Sequence, residues 1–438
     1  MIHRSAIAII LIASMSLPVL AACDSSSPYD RYFFEVLVPQ RLETFPDDTR
    51  IVQIATGVEH ALALDENGEV WAWGTNDFGG LGAGKNVGDQ YLPLNISQME
   101  NSPFNDVTIK QISLLGGTSL ALDENGNVWA WGDDWSERKE NSYRYLPENI
   151  SGVSDIARIV QISTGGGFFL ALDEEGDVWS WGGGRDGVLG TGDESRQMIP
   201  VNITTMIGSP FASVEIIQIS AGRNHSLALD TDGNVWAWGY NWSGQLGTGE
   251  SMAHEDRQTR RNIPNRYHPT NISNLPESEL EEITIVQISA GWAHSLALDI
   301  DGNVWAWGEG NNGLLGTRGI SRQYSPINIS YIDDSALSEV DVVSVEAGRT
   351  ESAAIDSSGN VWMWGVMWLE SGDVLIGEHL PVNISAMQEL VFYNTPIVQV
   401  SKDRMLLSSD GSVYAWGNAM RGRLGIGDIS EWAIPLED

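Results

Sequence analysis

His60, His225 and His294 each stand at the head of an apolar run. A turn of the type Asp-x-x-Gly or Asp-Gly follows such a run seven times, as in Asp230-Thr231-Asp232-Gly233. Imidazoles do acid–base work or bind metals near neutral pH, and carboxylates grouped beside glycine suit calcium. The spacing favours neither use. The histidines are separated by 165 and 69 residues, with no second ligand close by. A calcium loop needs ligands at alternate positions and a Glu at the twelfth, and the turns supply neither. His254-Glu255 lacks the second His of a zinc-protease helix, and no Gly-x-Ser-x-Gly element is present. Gly79-Gly80-Leu81-Gly82 and Gly182-Gly183-Gly184 are not phosphate loops, because no helix is predicted to follow them. Carboxylates are plentiful, yet no pair stands out as acid and base. The expectation is a protein that is no enzyme, with structural histidines, hairpin turns, no metal and no cofactor.

Cys23 is the single cysteine among 438 residues, so it has neither a disulfide partner nor a metal companion. Before it come His3, Arg4, an apolar run over residues 6–20, and Ala21-Ala22. A short basic region, an apolar stretch of this length and small residues before a cut read as an export signal, not a membrane span. Leu20-Ala21-Ala22-Cys23 resembles the bacterial lipoprotein box, in which the Cys is acylated and becomes the first residue. Residues 1–22 are then the signal peptide, residues 23–32 a polar tether and residues 33–438 the folded domain. The formal charge is −35, and −36 once Arg4 is cleaved away. Such a surface repels phosphate backbones and anionic headgroups. No nucleic-acid partner is expected, and membrane contact comes through the lipid alone. The expected location is the bacterial cell envelope, on the extracytoplasmic side of a membrane.

The elements that must carry these residues are repeats. Val, an aromatic, a small or flexible residue, Trp and Gly recur seven times, first as Val70-Trp71-Ala72-Trp73-Gly74 and last from Val413. The second aromatics fall at Trp73, Trp131, Trp181, Trp238, Trp307, Trp364 and Trp416, 50 to 69 residues apart. Such a period signals a repeat architecture. The repeat beginning at Ile285 reads as short alternating strands bounded by Gly, Asp or Asn, with Asp301-Gly302 marking a hairpin. Ser325-Pro326-Ile327-Asn328 adds a fourth strand, with Pro at its entrance. Within Val304-Trp305-Ala306-Trp307 both Trp point to one face, and Val and Ala to the other. Sheets with one bulky and one small face stack radially. Seven such repeats predict an all-β fold, a seven-bladed β-propeller of four-stranded antiparallel blades.

Residues 219–249, with His225-Ser226-Leu227-Ala228-Leu229-Asp230, Trp236-Ala237-Trp238-Gly239 and Gly244-Gln245-Leu246-Gly247, closely resemble the regulator of chromosome condensation repeat. Repeat three has Phe168 where that family has His, repeat six has Glu351, and repeat two has Leu115 for a Gly and lacks the Gly-Gln-Leu-Gly stretch. Repeat seven is about three residues short between Ser401 and Met405. The resemblance implies a ring closed by pairing the two chain ends, and residues 34–42 look like the detached N-terminal strand. It also implies several functions. Exchange factors for a nuclear GTPase do not fit an exported, acidic chain. The plant ultraviolet-B photoreceptor's Gly-Trp-x-His motif occurs once, at Gly291-Trp292-Ala293-His294. A secreted propeller that inhibits β-lactamases matches best in compartment.

Two features rise above the repeat. Trp135, Trp242 and Trp368 each lie four residues after the second Trp of their phrase, where loops on one rim are expected to expose them as binding anchors. The longest spacing holds Arg257, Arg260, Arg261 and Tyr267, a basic and aromatic insertion suited to contact. The expected function is a membrane-anchored, monomeric protein-binding scaffold. The alternatives are an inhibitor of a β-lactamase or penicillin-binding protein, and a cell-wall carbohydrate-binding protein. Changing Cys23 to Ser is expected to move the protein from the membrane to the soluble fraction; unchanged fractionation with a free thiol would contradict acylation.

Overall fold

The structure, a computed structural model, describes residues 19–22, 33–46, 48–133, 143–151, 158–250, 265–368, 374–388, 390–418 and 420–427. Cys23, Trp135, Arg257, Arg260 and Arg261 lie outside them. Seven antiparallel sheets follow one another in chain order, and no α-helix occurs among the described residues. Blade one is Ile51–Thr56, His60–Asp65, Val70–Gly74 and Gln90–Asn95. The inner strands of the next five blades are Ile109–Leu115, Ile159–Thr164, Ile216–Ala221, Ile285–Ala290 and Val342–Ala347, and that of the seventh is Ile397–Val400.

The seventh blade takes its outer strand from the other end of the chain. Phe33–Arg41 runs antiparallel to Val413–Asn418, with Glu35 opposite Asn418 and Arg41 opposite Tyr414. Leu42 adds a backbone bond from its N–H to the Val413 carbonyl at 2.8 Å. The detached strand closes the ring as its sequence implied. Val19–Ala22 pairs in turn with residues 33–36 at the outer edge of this sheet.

With the four strands of a blade lettered a to d from the channel outward, the bc hairpin of six of the seven blades is built by one aspartate, and blade seven has Ser408 in its place. Asp230 Oδ1 accepts from the backbone N–H groups of Asp232 and Asn234, and Trp236 Nε1 donates to its Oδ2 at 2.8 Å. Asp65, Asp123, Asp173, Asp299 and Asp356 hold the first Trp of their own phrase in the same way. The carboxylates that suggested calcium are spent on N–H donors of their turns. A buried indole N–H and the orphan amides of a tight turn are thereby satisfied by one side chain.

The core lies between blades. Leu227, Leu229, Val235 and Ala237 of blade four pack against Ile285, Ile288, Ala297, Trp305 and Trp307 of blade five. Large indoles of one blade thus fill the space left by small residues of its neighbour. In four blades the second Trp of the phrase also reaches back into the preceding blade. Trp131, Trp238, Trp307 and Trp364 donate to the carbonyls of Gly80, Val188, Gln245 and Leu314 at 2.8–3.1 Å. The Gly-x-Leu-Gly loops exist to receive them: Gly247 has φ 71°, and a Cβ there would sit 3.0 Å from the Trp307 ring. The sequence of blade two lacks the Gly-x-Leu-Gly stretch, and Trp181 Nε1 is buried without a partner among the described residues, as is Trp73 Nε1 although blade seven carries Gly422-Arg423-Leu424-Gly425.

Polar clamps join the inner strands. Gln53 Oε1 accepts from the Ile112 N–H at 2.8 Å, and its Nε2 donates to the Ile112 carbonyl at 3.0 Å. Gln111, Gln161, Gln218 and Gln287 repeat the pair on Ile162, Ile219, Ile288 and Val345. Gln399 closes the circle on Ile54, with both bonds at 2.9 Å. At the junction of blades six and seven Ser344 stands in the glutamine's place. Replacing Gln399 by Ala leaves the Ile54 amide and carbonyl without their partners. A loss of about 1–3 kcal/mol is expected for each group left unsatisfied. Urea unfolding measures it, and a free energy equal to the parent's would show that the junction holds without the clamp.

Candidate functional site

The strand order fixes which loops share a face. Each ab turn and each cd loop emerge at the same end of a blade, and the ab turns surround the mouth of the central channel. Beneath them the three recurring histidines are buried. His60, His225 and His294 place Nε2 at 2.8–2.9 Å from the hydroxyls of Ser119, Ser295 and Ser352 in the next blade. Those hydroxyls donate in turn to the carbonyls of Gly80, Gln245 and Leu314. With the serine proton spent on a carbonyl, the imidazole must be the donor, which assigns the Nε2–H tautomer. Nδ1 of His225 and of His294 is buried and unpaired. Loss of hydration holds the pKa near about 4 for His60 and about 3 for His225 and His294. They are neutral struts between blades.

The ab turns are strung together by their backbones. Gly166 N–H donates to the Arg223 carbonyl, Arg223 to Gly291, Trp292 to Gly348 and Arg349 to Lys402, at 3.1–3.2 Å. Side chains follow suit: Arg223 and Arg349 each place their guanidinium carbon 4.3 Å from the centre of the Trp292 ring, one from blade four and one from blade six. Arg223 is exposed, and Trp292 and Arg349 are half-buried. The result is a clamped aromatic platform at the channel mouth, rigid because both cations are drawn to the indole.

Blade seven contributes differently. Its ab turn is short, as the repeat comparison implied, and it brings Lys402 over the channel. Lys402 Nζ donates to the carbonyls of Ala221 and Ala290, in blades four and five, at 2.9 and 3.0 Å. Burial lowers the Lys402 pKa, and attraction to Glu346 opposes that. Burial raises Glu346 to about 7, and Lys402 pulls it back. Glu351 likewise is raised to about 7 by burial, against the attraction of Arg404.

The residues singled out from sequence are less gathered than expected. Trp242 is half-buried in its cd loop, with Arg322 of the next blade 5.9 Å from its ring. Trp368 opens no loop: it ends the strand Val361–Trp368 and pairs with Val374. Tyr267 lies in the outer strand Arg266–Asn271 and donates from its hydroxyl to Glu194 at 3.1 Å. Sequence reasoning missed Arg223, Arg349 and Lys402. Their signal was present as cations at the ab turn of a strongly acidic chain. Among the described residues no three His, Cys, Asp or Glu side chains converge on one point where an ion would sit.

Comparisons place the chain among known propellers. A sequence model of the RCC1-like domain matches residues 133–437, and models of the regulator of chromosome condensation (RCC1) repeat match residues 51–79 and 67–122. The ultraviolet-B receptor UVR8 of Arabidopsis thaliana is 30% identical over 393 residues, 89% of this chain and 70% of the receptor. The crystal structure of Prp20p from Saccharomyces cerevisiae superposes with a TM-score of 0.62 at 25% identity, covering 84% of this chain and 82% of that one. Human WBSCR16, at 20% identity and a TM-score of 0.67 over 91% of this chain and 94% of that one, shares the fold.

The neutral histidines set a pH signature. Their folded pKa lies below the ordinary 6.5, so the unfolded chain takes up protons first as pH falls. Stability from these groups is intact above about 6.5 and drains away toward the folded values of about 3 and 4. Glu346 and Glu351 act in the opposite sense, favouring the fold below about 4.5 and losing that contribution as pH rises toward 7. In His294→Gln the unfolding free energy is expected to fall less steeply than the parent's between pH 6.5 and 3. Parallel curves would mean that His294 titrates in the folded protein as it does in the unfolded chain.

Proposed function

The chain belongs to the regulator of chromosome condensation family of RCC1-like propellers, and from that premise we propose that it is a protein-binding scaffold without catalysis of its own. Two structures of one relative support the reading by what they were solved to describe. Prp20p is reported with its binding to Gsp1p and histones, and again bound to Kap60. The observation that carries the reading here is the Arg223–Trp292–Arg349 platform. Trp and Arg are the residues that most often anchor interfaces, and a side chain already fixed in place loses little entropy on binding. The partner is a protein, and it docks on the face bearing the ab turns.

The location rests on the sequence. The protein is exported, acylated on Cys23 and held at the extracytoplasmic side of a bacterial membrane by that lipid, as a monomer. The net charge of −35 supports a partner other than nucleic acid or an anionic membrane surface. Crosslinking of the tethered protein in the producing cell's envelope tests the reading. Trp292→Ala is expected to weaken capture of the partner by roughly thirtyfold, the equivalent of about 2 kcal/mol at an interface anchor. Capture unaffected by this change would place the docking surface elsewhere on the ring.

A further inference from the structure

The shortened turn of blade seven leaves open the room that three residues fill in the other blades. A pocket of about 340 Å³ lies there, between blades six, seven and one. Its lining includes three guanidinium groups, Arg349, Arg404 and Arg423, from three separate segments, with Asp403 and His60 beside them. In a chain of net charge −35, three arginines line one small cavity, with the carboxylates of Asp403, Glu351 and Glu59 close by.

Their hydrogen-bonding capacity is unspent. Arg423 Nη2 stands 3.8 Å from Asp403 Oδ2, and Arg404 Nε stands 3.9 Å from Glu351 Oε1. Both distances lie beyond hydrogen-bond reach. Glu351 Oε1 is buried and has no donor among the described residues. The Arg404 and Arg423 side chains are only 16% and 24% exposed, so water alone does not saturate their five donors each. Arg349 is oriented by its stack on Trp292 and makes no side-chain hydrogen bond among the described residues. Arg404 is also held at φ 55°, a left-handed conformation costly for a residue with a Cβ. Guanidinium forks converging on a cavity match the geometry of an oxyanion, which takes parallel N–H donors from each.

We propose that the pocket between blades six, seven and one binds a small oxyanion, a carboxylate or a phosphate, through Arg349, Arg404 and Arg423. The cavity lies at the lower end of the size range of small-molecule sites, which fits a compact anion and excludes a bulky one. Asp403 and Glu351, each pushed upward by burial, take up protons as the anion enters, and Glu59 near Arg423 supplies the remaining negative charge nearby. The site depends on the pocket alone and not on the protein partner.

The test is calorimetric titration of the full chain with sodium citrate and, separately, with sodium phosphate, against sodium chloride at matched ionic strength. Saturable heat with either anion is expected, and which one gives it distinguishes carboxylate from phosphate. Arg423→Gln is expected to weaken that binding about tenfold or more, as loss of a charge-assisted donor pair does. Arg423→Lys, which keeps the charge but not the fork, is expected to fall between. Arg349→Gln, on the other wall, gives a second reading should the first variant not fold. Absence of saturable binding by both anions, or equal affinity in folded Arg423→Gln and Arg349→Gln, would overturn the assignment.

Discussion

In a ring of separate sheets every inner strand turns a hydrogen-bonding edge toward the channel, with no strand beside it. The glutamine amides resolve that shortage. One side chain supplies an acceptor to the Ile N–H and a donor to the same Ile carbonyl of the next blade, so six of the seven junctions are tied by paired bonds. Buried or half-buried backbone groups left unmet are costly, and an open strand edge invites foreign pairing. The inner circle therefore sets the spacing of the blades. The Trp-to-carbonyl bonds set the outer spacing, and the ab turns inherit both. The cation–aromatic platform is rigid because the strands beneath it are.

The seventh blade is where the ring departs from its own rule. The clamp from blade six is missing because Ser344 is too short to span the junction. The following ab turn is short as well. The same region holds the charged groups with displaced pKa values: Lys402 across the channel, Glu346 and Glu351 raised to about 7, and Arg404 with a left-handed backbone. Ionic groups occupy the room that His and Ser fill elsewhere. The contrast is physical: His60, His225 and His294 are kept neutral by burial and bridge blades by direct hydrogen bonds. Around blade seven, Arg404 and Glu351 across the junction with blade six, and Arg423 and Asp403 within the blade, stand instead near 4 Å apart.

Much of this architecture was legible because its causes are local. The Val-aromatic-x-Trp-Gly phrase carries its own alternation, the Asp that binds the first Trp sits six residues before it, and the strand that closes the ring is a strand wherever it pairs. The glutamines recur at a fixed place in each inner strand, yet a polar residue in an alternating strand reads as surface. Its true use depends on a neighbour some 50 to 70 residues away. Trp368 was misplaced for a related reason. Position after a motif suggests a loop, but the third strand of blade six runs on because Val374 continues to pair with it.

The sequence by itself determined the all-β class, the number of blades, the hairpins and the means of closure, since these follow from periodicity and short-range hydrogen bonding. The tertiary structure alone decided which side chains meet. The pocket that Arg349, Arg404 and Arg423 of blades six and seven line is walled on its far side by Thr56 and His60, because closure of the ring brings blade one beside blade seven. Lys402 reaches Ala221 and Ala290 because a shortened turn aims it across a channel that no single repeat contains. Trp292 became a platform because two cations from blades on either side stack upon it. Each of these contacts is set by the circumference of a closed ring, and a linear repeat carries no signal of which residues the circle will place face to face.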